Sequence, residues 1–433
     1  MGAPVQLWAC ETCSAISAFM ANYAVFGGSD KLNNQKLFMK TRLVILVSHP
    51  IQYFVPVWRE IAADDSIDLT VVFLTRVGVD EYHDPGFGES IRWDIPLLDG
   101  YRSHFLSRKT SLGGIELSIM PWLIRARADV LLLHGYSQLT NLLALVVAKL
   151  LGIKVLMRGD TRLPQAGLSP GWKTSLKRFL FERFDGFISI GRLNASYYQA
   201  LGVPQRKLHF SPIAVRNEFF AMSYIERLVA KDVMRKRLES PHDAIVILFA
   251  SKLIKRKRAA DLVAAFNVVA KSLPSVWLWI VGSGPEEAAL KEMVVGKDRI
   301  LFLGFKNQSQ LPQIYAASDV FVLPSENEPW GLVINEAMAA GLPVVVTNDV
   351  GAAPDLVEGE DTGFTYPVGN IDRLGDMLRI LAQDSGLRAR MGRNAQTLIS
   401  RWDAKSSAEG IVSAIDAVIP SRKLPRRRLC WFF

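Results

Sequence analysis

Two carboxylates, Glu328 and Glu336, stand with seven residues between them in the stretch Pro324-Ser325-Glu326-Asn327-Glu328-Pro329-Trp330-Gly331-Leu332-Val333-Ile334-Asn335-Glu336. An apolar run at 320–323 precedes it and reads as a buried parallel strand. A helix is expected to begin near Gly331 and to stop at Gly341, a C-terminal glycine signal. The free N–H groups of a helix start bind anions. A carboxylate beside that mouth accepts hydrogen bonds from sugar or ribose hydroxyls. A phosphorylated sugar compound satisfies both. Paired carboxylates also serve glycoside hydrolysis, in which two carboxyl groups flank the bond.

The elements that must position these groups form an alternating series. Strands are expected at 244–249, 276–281, 300–303, 320–323 and 343–347, separated by helical patterns, which implies a parallel sheet with covering helices. Distinctive residues follow four of these strands: Ser251-Lys252-Leu253 with Lys257, Gly282-Ser283-Gly284, Gly304-Phe305-Lys306, and residues 325–331. Four loops on one rim make one site. Taken alone, Gly282 and Gly284 are common turn markers, and Lys255-Arg256-Lys257-Arg258 is a solvated charge run. Two cations on such a rim neutralise a departing diphosphate, which argues for a phosphate leaving group rather than hydrolysis.

The first half carries strands at 43–48, 69–74, 130–135, 153–160, 187–190 and 208–210. After the first comes His49-Pro50-Ile51-Gln52-Tyr53, where His49 and Gln52 offer polar contacts to a ligand, or Pro50 simply opens a helix. Ligands of open α/β sheets bind at the carboxyl ends of strands, so His134, Arg158 and Asp160 are expected to face the cleft. The alternative is a structural ion pair between Arg158 and Asp160. Residues 80–107 read as a long irregular loop suited to an acceptor, with His83 and His104 as ordinary surface or packed residues. The basic, aromatic helix at 172–184 is expected to turn an aromatic face to the core, the other reading being an anionic membrane surface.

The chain has 433 residues, 49% of them hydrophobic, enough for two domains. Its net charge of +9 favours anionic partners, although no nucleic-acid fingerprint is present. Cys10 and Cys13 form a lone C-x-x-C and Cys430 is near the end, so neither a zinc site nor a disulfide framework is expected, in keeping with a reducing, cytoplasmic setting. No apolar run reaches the ~18 residues of a membrane span; residues 142–151 are short, contain Lys149 and read as a buried helix. Residues 1–38 read as a disordered leader or extension before a natural start at Met39, without the basic n-region of a signal peptide.

The Glu328/Glu336 spacing resembles the E-x7-E signature of family-4 retaining glycosyltransferases, followed by that family's small-residue helix (Glu336-Ala337-Met338-Ala339) and strand (Gly341-Leu342-Pro343-Val344-Val345). The resemblance implies the α/β GT-B fold, two Rossmann-like domains facing across a cleft: an acceptor-side domain at 39–225, a nucleotide-sugar domain at 226–401, a helix at 402–420 crossing back, and a basic aromatic tail at 421–433 that suits an anionic membrane surface or has no target. It implies a hexosyltransferase using a nucleotide diphosphate sugar, with a saccharide, lipid-linked or small-molecule acceptor and neither cofactor nor metal. On this resemblance Glu336 holds the ribose and Glu328 the transferred sugar. Trp330 and the backbone of Gly331, Leu332 and Val333 meet sugar or phosphate oxygens, with Gly282 and Gly284 nearby. Lys252 and Lys257 stabilise the diphosphate, and Phe305 and Lys306 hold the base. The chain departs from the family in having no glycine-rich loop after the first strand. It also has Arg158-Gly159-Asp160 where many relatives place a histidine, which leaves Asp160 to accept a sugar hydroxyl or orient the acceptor. A GT-B nucleotide-sugar epimerase and a non-catalytic nucleotide-sugar-binding protein are the alternatives.

Overall fold

The apolar runs of the first half become parallel strands because both of their faces are covered by helices. The structure, a computed structural model, describes residues 40–106, 111, 112, 114–294 and 299–419. The leader, the three cysteines and the basic tail lie outside these residues. The order is β1 (Thr41–Val47), α1 (Val55–Ala63), β2 (Ile67–Phe73), the antiparallel pair β3 (Tyr82–Asp84) and β4 (Glu89–Ile91), and β5 (Arg102–Phe105). A second small pair, β6 (Ser111–Leu112) and β7 (Ile115–Glu116), leads to α2 (Ile119–Ala126). There follow β8 (Val130–His134), α3 (Leu139–Leu150), β9 (Lys154–Arg158), α4 (Trp172–Phe181), β10 (Gly186–Ser189), α5 (Arg192–Ala200) and β11 (Leu208–Phe210).

Seven of these strands form one sheet in the order β11-β10-β9-β8-β1-β2-β5. Two expectations are corrected here. Residues 80–106 are irregular only in part, chiefly at 92–101: they also hold a hairpin and the edge strand β5, whose sequence Arg102-Ser103-His104-Phe105 lacks an apolar run because an edge strand is half solvated. The helix after β1 starts at Val55 with Pro56 in its first turn, so Pro50 does not open it.

Side chains alternate across the sheet. Leu131 and Leu133 of β8 and Val155 and Met157 of β9 pack under α2, α3, α4 and α5. The opposite parity packs Leu132 of β8 and Leu156 of β9 against α1 and a helix from the end of the chain.

A short helix, α6 (Asn217–Phe220), leads to α7 (Tyr224–Arg237), which starts at a capping box of Ser223 and Glu226. The second half runs β12 (Ile245–Ala250), α8 (Ala259–Ser272), β13 (Val276–Val281), α9 (Glu287–Glu292), β14 (Ile300–Gly304), α10 (Leu311–Ala317), β15 (Val320–Leu323), α11 (Leu332–Ala339) and β16 (Val344–Thr347). It ends with α12 (Ala353–Leu356), β17 (Gly363–Tyr366), α13 (Ile371–Gln383), α14 (Ser385–Ile399) and α15 (Ala404–Val418). The strand order is β14-β13-β12-β15-β16-β17, all parallel. α15 crosses back to the first sheet, where Ser407 is fully buried and bonded to Ser211.

Each sheet reverses its winding once, between β1 and β8 in the first and between β12 and β15 in the second. Such switch points open the crevice in which α/β sheets bind ligands.

Candidate functional site

The loops leaving β12 and β15 flank the second switch point, and their charged residues meet there. Lys257, 8% exposed, donates from Nζ to Oε2 of Glu328, 6% exposed, at 2.5 Å. Arg256 reaches the same oxygen at 3.0 Å. Burial pushes the Lys257 ammonium below its ordinary range against the pull of Glu328, and the charges of Arg256 and Lys252 push it the same way. The loop is braced from behind, where Glu328 forms a parallel bridge with Val350 and its carbonyl accepts from the Gly351 N–H at 2.9 Å. The helix α11 begins four residues after Glu328, at Leu332; the Ile334 N–H is taken by the Gly331 carbonyl at 2.8 Å, and those of Leu332 and Val333 have no acceptor within the helix. A cation pair, a carboxylate and a helix start therefore converge on one corner.

Glu336 lies on α11 with no exposed surface. Tyr315 of α10 donates to its Oε2 at 2.8 Å and Tyr53, from the loop after β1, donates to its Oε1 at 3.1 Å. Burial raises the carboxyl to about 7, partly offset by hydrogen bonds from Tyr315, Tyr53 and Gln308. The two switch points thus touch through Tyr53 and Glu336. In this state the carboxylate does not present a free edge at the mouth of the helix, which corrects that part of the expectation.

The first domain also covers the rest of the rim. Lys252 donates to both oxygens of Asp84, at the end of β3, at 2.8 and 2.9 Å, and lies 4.7 Å from the Phe87 ring centroid. Burial raises the Asp84 carboxyl, but Lys252 and the N–H groups of Gly86 and Phe87 outweigh it, so the group sits below its ordinary range. Phe87 meets Phe305 edge to face at 4.9 Å, and Ser283 donates to Glu89. The β3–β4 hairpin therefore rests on the loops after β12, β13 and β14.

The remaining candidates divide. Lys306 is half-buried beside Phe305, and Leu332 and Val333 are half-buried at the start of α11. Gly282 and Gly284 are required by close packing: a Cβ at Gly282 (φ +124) would lie 2.0 Å from the Ser251 carbonyl oxygen, and one at Gly284 (φ +151) would lie 2.5 Å from that of Leu253. Trp330 is corrected. It is buried against Trp402, with ring centroids 5.2 Å apart, and its Nε1 donates to Asn335, so it anchors the return of the chain rather than a donor.

His134 and Arg158 are corrected as well, because strand parity sends them under α1 and α15 instead of onto the rim. Arg158 is buried, donates to Ser211 Oγ at 2.7 Å and is lowered to about 10 by burial; it makes no pair with Asp160. His134 packs edge-on against Phe54 at 4.7 Å and is lowered to about 3 by burial and by the Arg158 charge. Asp160 is exposed. His49 is half-buried with Nδ1 2.8 Å from Ser48 Oγ, and burial lowers it. Gln52 lines a cavity with Tyr53, Arg216, Phe219 and Gln308 on the linker side of the cleft.

Sequence reasoning missed Asp84, Tyr53, Tyr315, Arg256 and Arg162. Arg162 is 6% exposed and crosses the cleft to pair through Nη2 with Asp349, the same nitrogen lying 3.4 Å from the Asn327 Oδ1. The first four lie inside stretches already singled out or beside β15. What was missing was a partner, since each pairs with a residue far away in sequence.

Solved structures bear on this geometry. The structure matches Anabaena HepE in complex with UDP with a TM-score of 0.70 at 18% identity, covering 88% of this chain and 100% of that one. It matches WaaG, a glycosyltransferase of lipopolysaccharide biosynthesis, with a TM-score of 0.62 at 16% identity, covering 87% and 99%. The fold is GT-B. Within this GT-B chain, residues 230–398 match the family model of glycosyl transferases group 1. Among curated proteins, N-acetyl-alpha-D-glucosaminyl L-malate synthase of Bacillus anthracis is 33% identical over 176 residues, 40% of this chain and 44% of that protein. The lipopolysaccharide core biosynthesis glycosyltransferase LpsE of Rhizobium meliloti is 32% identical over 200 residues, 45% and 55%. The chain spans about half the length of the curated relatives it matches.

Proposed function

We propose that this GT-B protein is a retaining, metal-independent glycosyltransferase that takes a sugar from a nucleotide diphosphate sugar. The observation that carries the reading is the buried Lys257–Glu328 pair at the switch point of the second sheet, beside the start of α11. The group 1 match over the same domain and the UDP-bound HepE neighbour support it. Lys257 and Lys252 supply counter-charge to the diphosphate as it leaves. Glu328 and the first N–H groups of α11 hold the transferred sugar. The acceptor hydroxyl oxygen bonds to the anomeric carbon on the face the diphosphate is leaving. The C–O bond electrons go to the diphosphate, which takes the acceptor proton. The acceptor is a saccharide, a lipid-linked sugar or a small alcohol presented by the first domain. No helix among the described residues is long and apolar enough to cross a membrane, and the reading places the protein in the cytoplasm, peripheral to a membrane.

A thermal-shift screen over nucleoside diphosphates and their sugars tests the first step, with the expectation that one base is preferred. Incubation of the selected labelled donor with candidate acceptors then separates the outcomes. A glycosylated acceptor supports transfer; an epimerised donor, or binding with no turnover under any condition, overturns it.

Glu336 gives this reading a pH signature. Its carboxyl is raised to about 7 by burial, so its contribution to folding is full below the ordinary carboxylate range and is lost as pH rises through about 7. A ribose reaches Glu336 only by displacing Tyr53 from Oε1; ribose hydroxyls donating there favour the ionised form, so nucleotide binding releases a proton near neutrality. Affinity is expected to weaken about tenfold from pH 8 to pH 6. Calorimetry in buffers of different ionisation enthalpy reads the proton directly, and Glu336→Gln is expected to flatten the dependence. A flat profile in the unsubstituted protein rules out the ribose contact.

A further inference from the structure

The helix α4 does not turn its aromatic stripe inward. Trp172, Leu176 and Phe179, spaced to share one side of the helix, are 73%, 56% and 57% exposed, and only Phe181 of this helix is buried. The expected aromatic core face of 172–184 is met only by Phe181 and, just past the helix, Phe184, both buried; the rest of the stripe corrects the expectation. The neighbouring helices on the same side of the sheet repeat the pattern, with Ile124 of α2 at 58% and Val146 and Leu150 of α3 at 57% and 81% exposed. Residues 142–151 are therefore only half a buried helix. Among the described residues, ten of the eighteen large exposed hydrophobic residues lie on these three helices or next to their ends. Soluble proteins seldom concentrate apolar surface in this way without a partner.

Charge identifies the partner. α2, α3 and α4 contain no aspartate or glutamate, but carry Arg125, Lys149, Lys173, Lys177 and Arg178. Lys149 is paired with Asp185 at 2.6 Å; among the described residues the other four make no ion pair. A second exposed apolar cluster, on α7, mixes Glu226 and Asp232 with its basic residues, of which Lys231 and Arg235 are already paired with Asp319. The Lys173 ammonium lies 5.8 Å from the Trp172 ring and the Arg183 guanidinium 4.2 Å from the Phe179 ring, the juxtaposition of cation and aromatic that suits the headgroup layer of a bilayer. A groove lined by Ile124, Arg127, Leu151 and Lys154 also takes in Ile419, the last described residue. The sequence that continues from it holds Arg422, Lys423, Arg426, Arg427, Arg428 and then Trp431, Phe432 and Phe433.

We infer that the outer face of α2, α3 and α4 docks on an anionic lipid surface, with Trp172, Leu176 and Phe179 entering the interface and the flanking lysines and arginines meeting lipid phosphates. This deepens the proposed peripheral location by naming the surface. It stands apart from the transferase reading, because the vesicle assay needs no turnover.

The test is co-sedimentation of the full chain with phosphatidylcholine vesicles containing about a third phosphatidylglycerol, set against pure phosphatidylcholine. Strong, salt-sensitive binding to the first and weak binding to the second are expected. Lys173→Glu, Lys177→Glu and Arg178→Glu together are expected to weaken partitioning at least about a hundredfold. Trp172→Ser, Leu176→Ser and Phe179→Ser together are expected to weaken it in both low and high salt. Should either triple variant misfold, hydrogen exchange of the unsubstituted protein decides, with vesicle protection expected across α2, α3 and α4. No preference for anionic vesicles, protection confined to other segments, or a dimer in sedimentation velocity that the same substitutions dissociate would each overturn the inference.

Discussion

Glu328→Gln is expected to lower the transfer rate about a hundred- to a thousandfold, the loss typical of one preorganised electrostatic group in a closed site. The melting temperature is expected to change by only a few degrees. The substitution keeps the side-chain volume and leaves an oxygen to accept from Lys257 and Arg256, which now meet at Glu328 Oε2 at 2.5 and 3.0 Å. What it removes is charge beside the transferred sugar. Lys257→Ala makes the contrast. Removing one partner of a buried pair costs about 3–5 kcal/mol when the other charge is stranded, and Arg256 keeps that cost towards the lower end. Lys257→Ala should therefore lose both activity and stability, whereas Glu328→Gln loses activity alone. Single-turnover release of the nucleoside diphosphate, read beside thermal unfolding, separates the two. Transfer at the unsubstituted rate in Glu328→Gln would remove this carboxylate from the chemistry.

The second domain was readable because its signals are local. β13 and β15 coincide with the apolar runs at 276–281 and 320–323, and the rim residues Lys257, Glu328 and Phe305 follow their strands within a few positions. The first domain was less so. Arg158 and His134 do sit at strand ends, but whether an end residue faces the cleft or a covering helix depends on one step of alternation. That parity is fixed only when α15, some 250 residues later, docks on the sheet and brings Ser407 against Arg158 at 3.4 Å. β5 and β17 escaped notice because edge strands need not be apolar. Trp330 misled for the opposite reason: it lies inside the most informative motif, yet its ring is spent on Trp402. The pairs that close the cleft, Tyr53 with Glu336, Arg162 with Asp349 and Asp84 with Lys252, leave no periodic trace in the chain.

The last of these pairs yields the sharpest test of how the domains share the site. Asp84 holds Lys252 with both carboxylate oxygens, so a diphosphate must displace Asp84 to use that cation. Asp84→Asn is expected to tighten UDP or GDP binding about three- to tenfold, the modest figure appropriate to a pair whose lysine side chain is 34% exposed. Lys252→Ala is expected to weaken the same binding about a hundredfold, because a charge partner of the phosphates is lost. Asp84 acts through Lys252, so the double variant should bind like Lys252→Ala alone, which titration calorimetry over the four proteins reads as a cycle. The Gly86 and Phe87 N–H groups that now donate to Asp84 Oδ1 at 2.8 and 3.2 Å keep an acceptor in the asparagine variant, so the hairpin should persist. If Asp84→Asn instead weakened nucleotide binding, the hairpin would be a wall that the ligand needs, and the carboxylate would be shaping the pocket rather than competing for it.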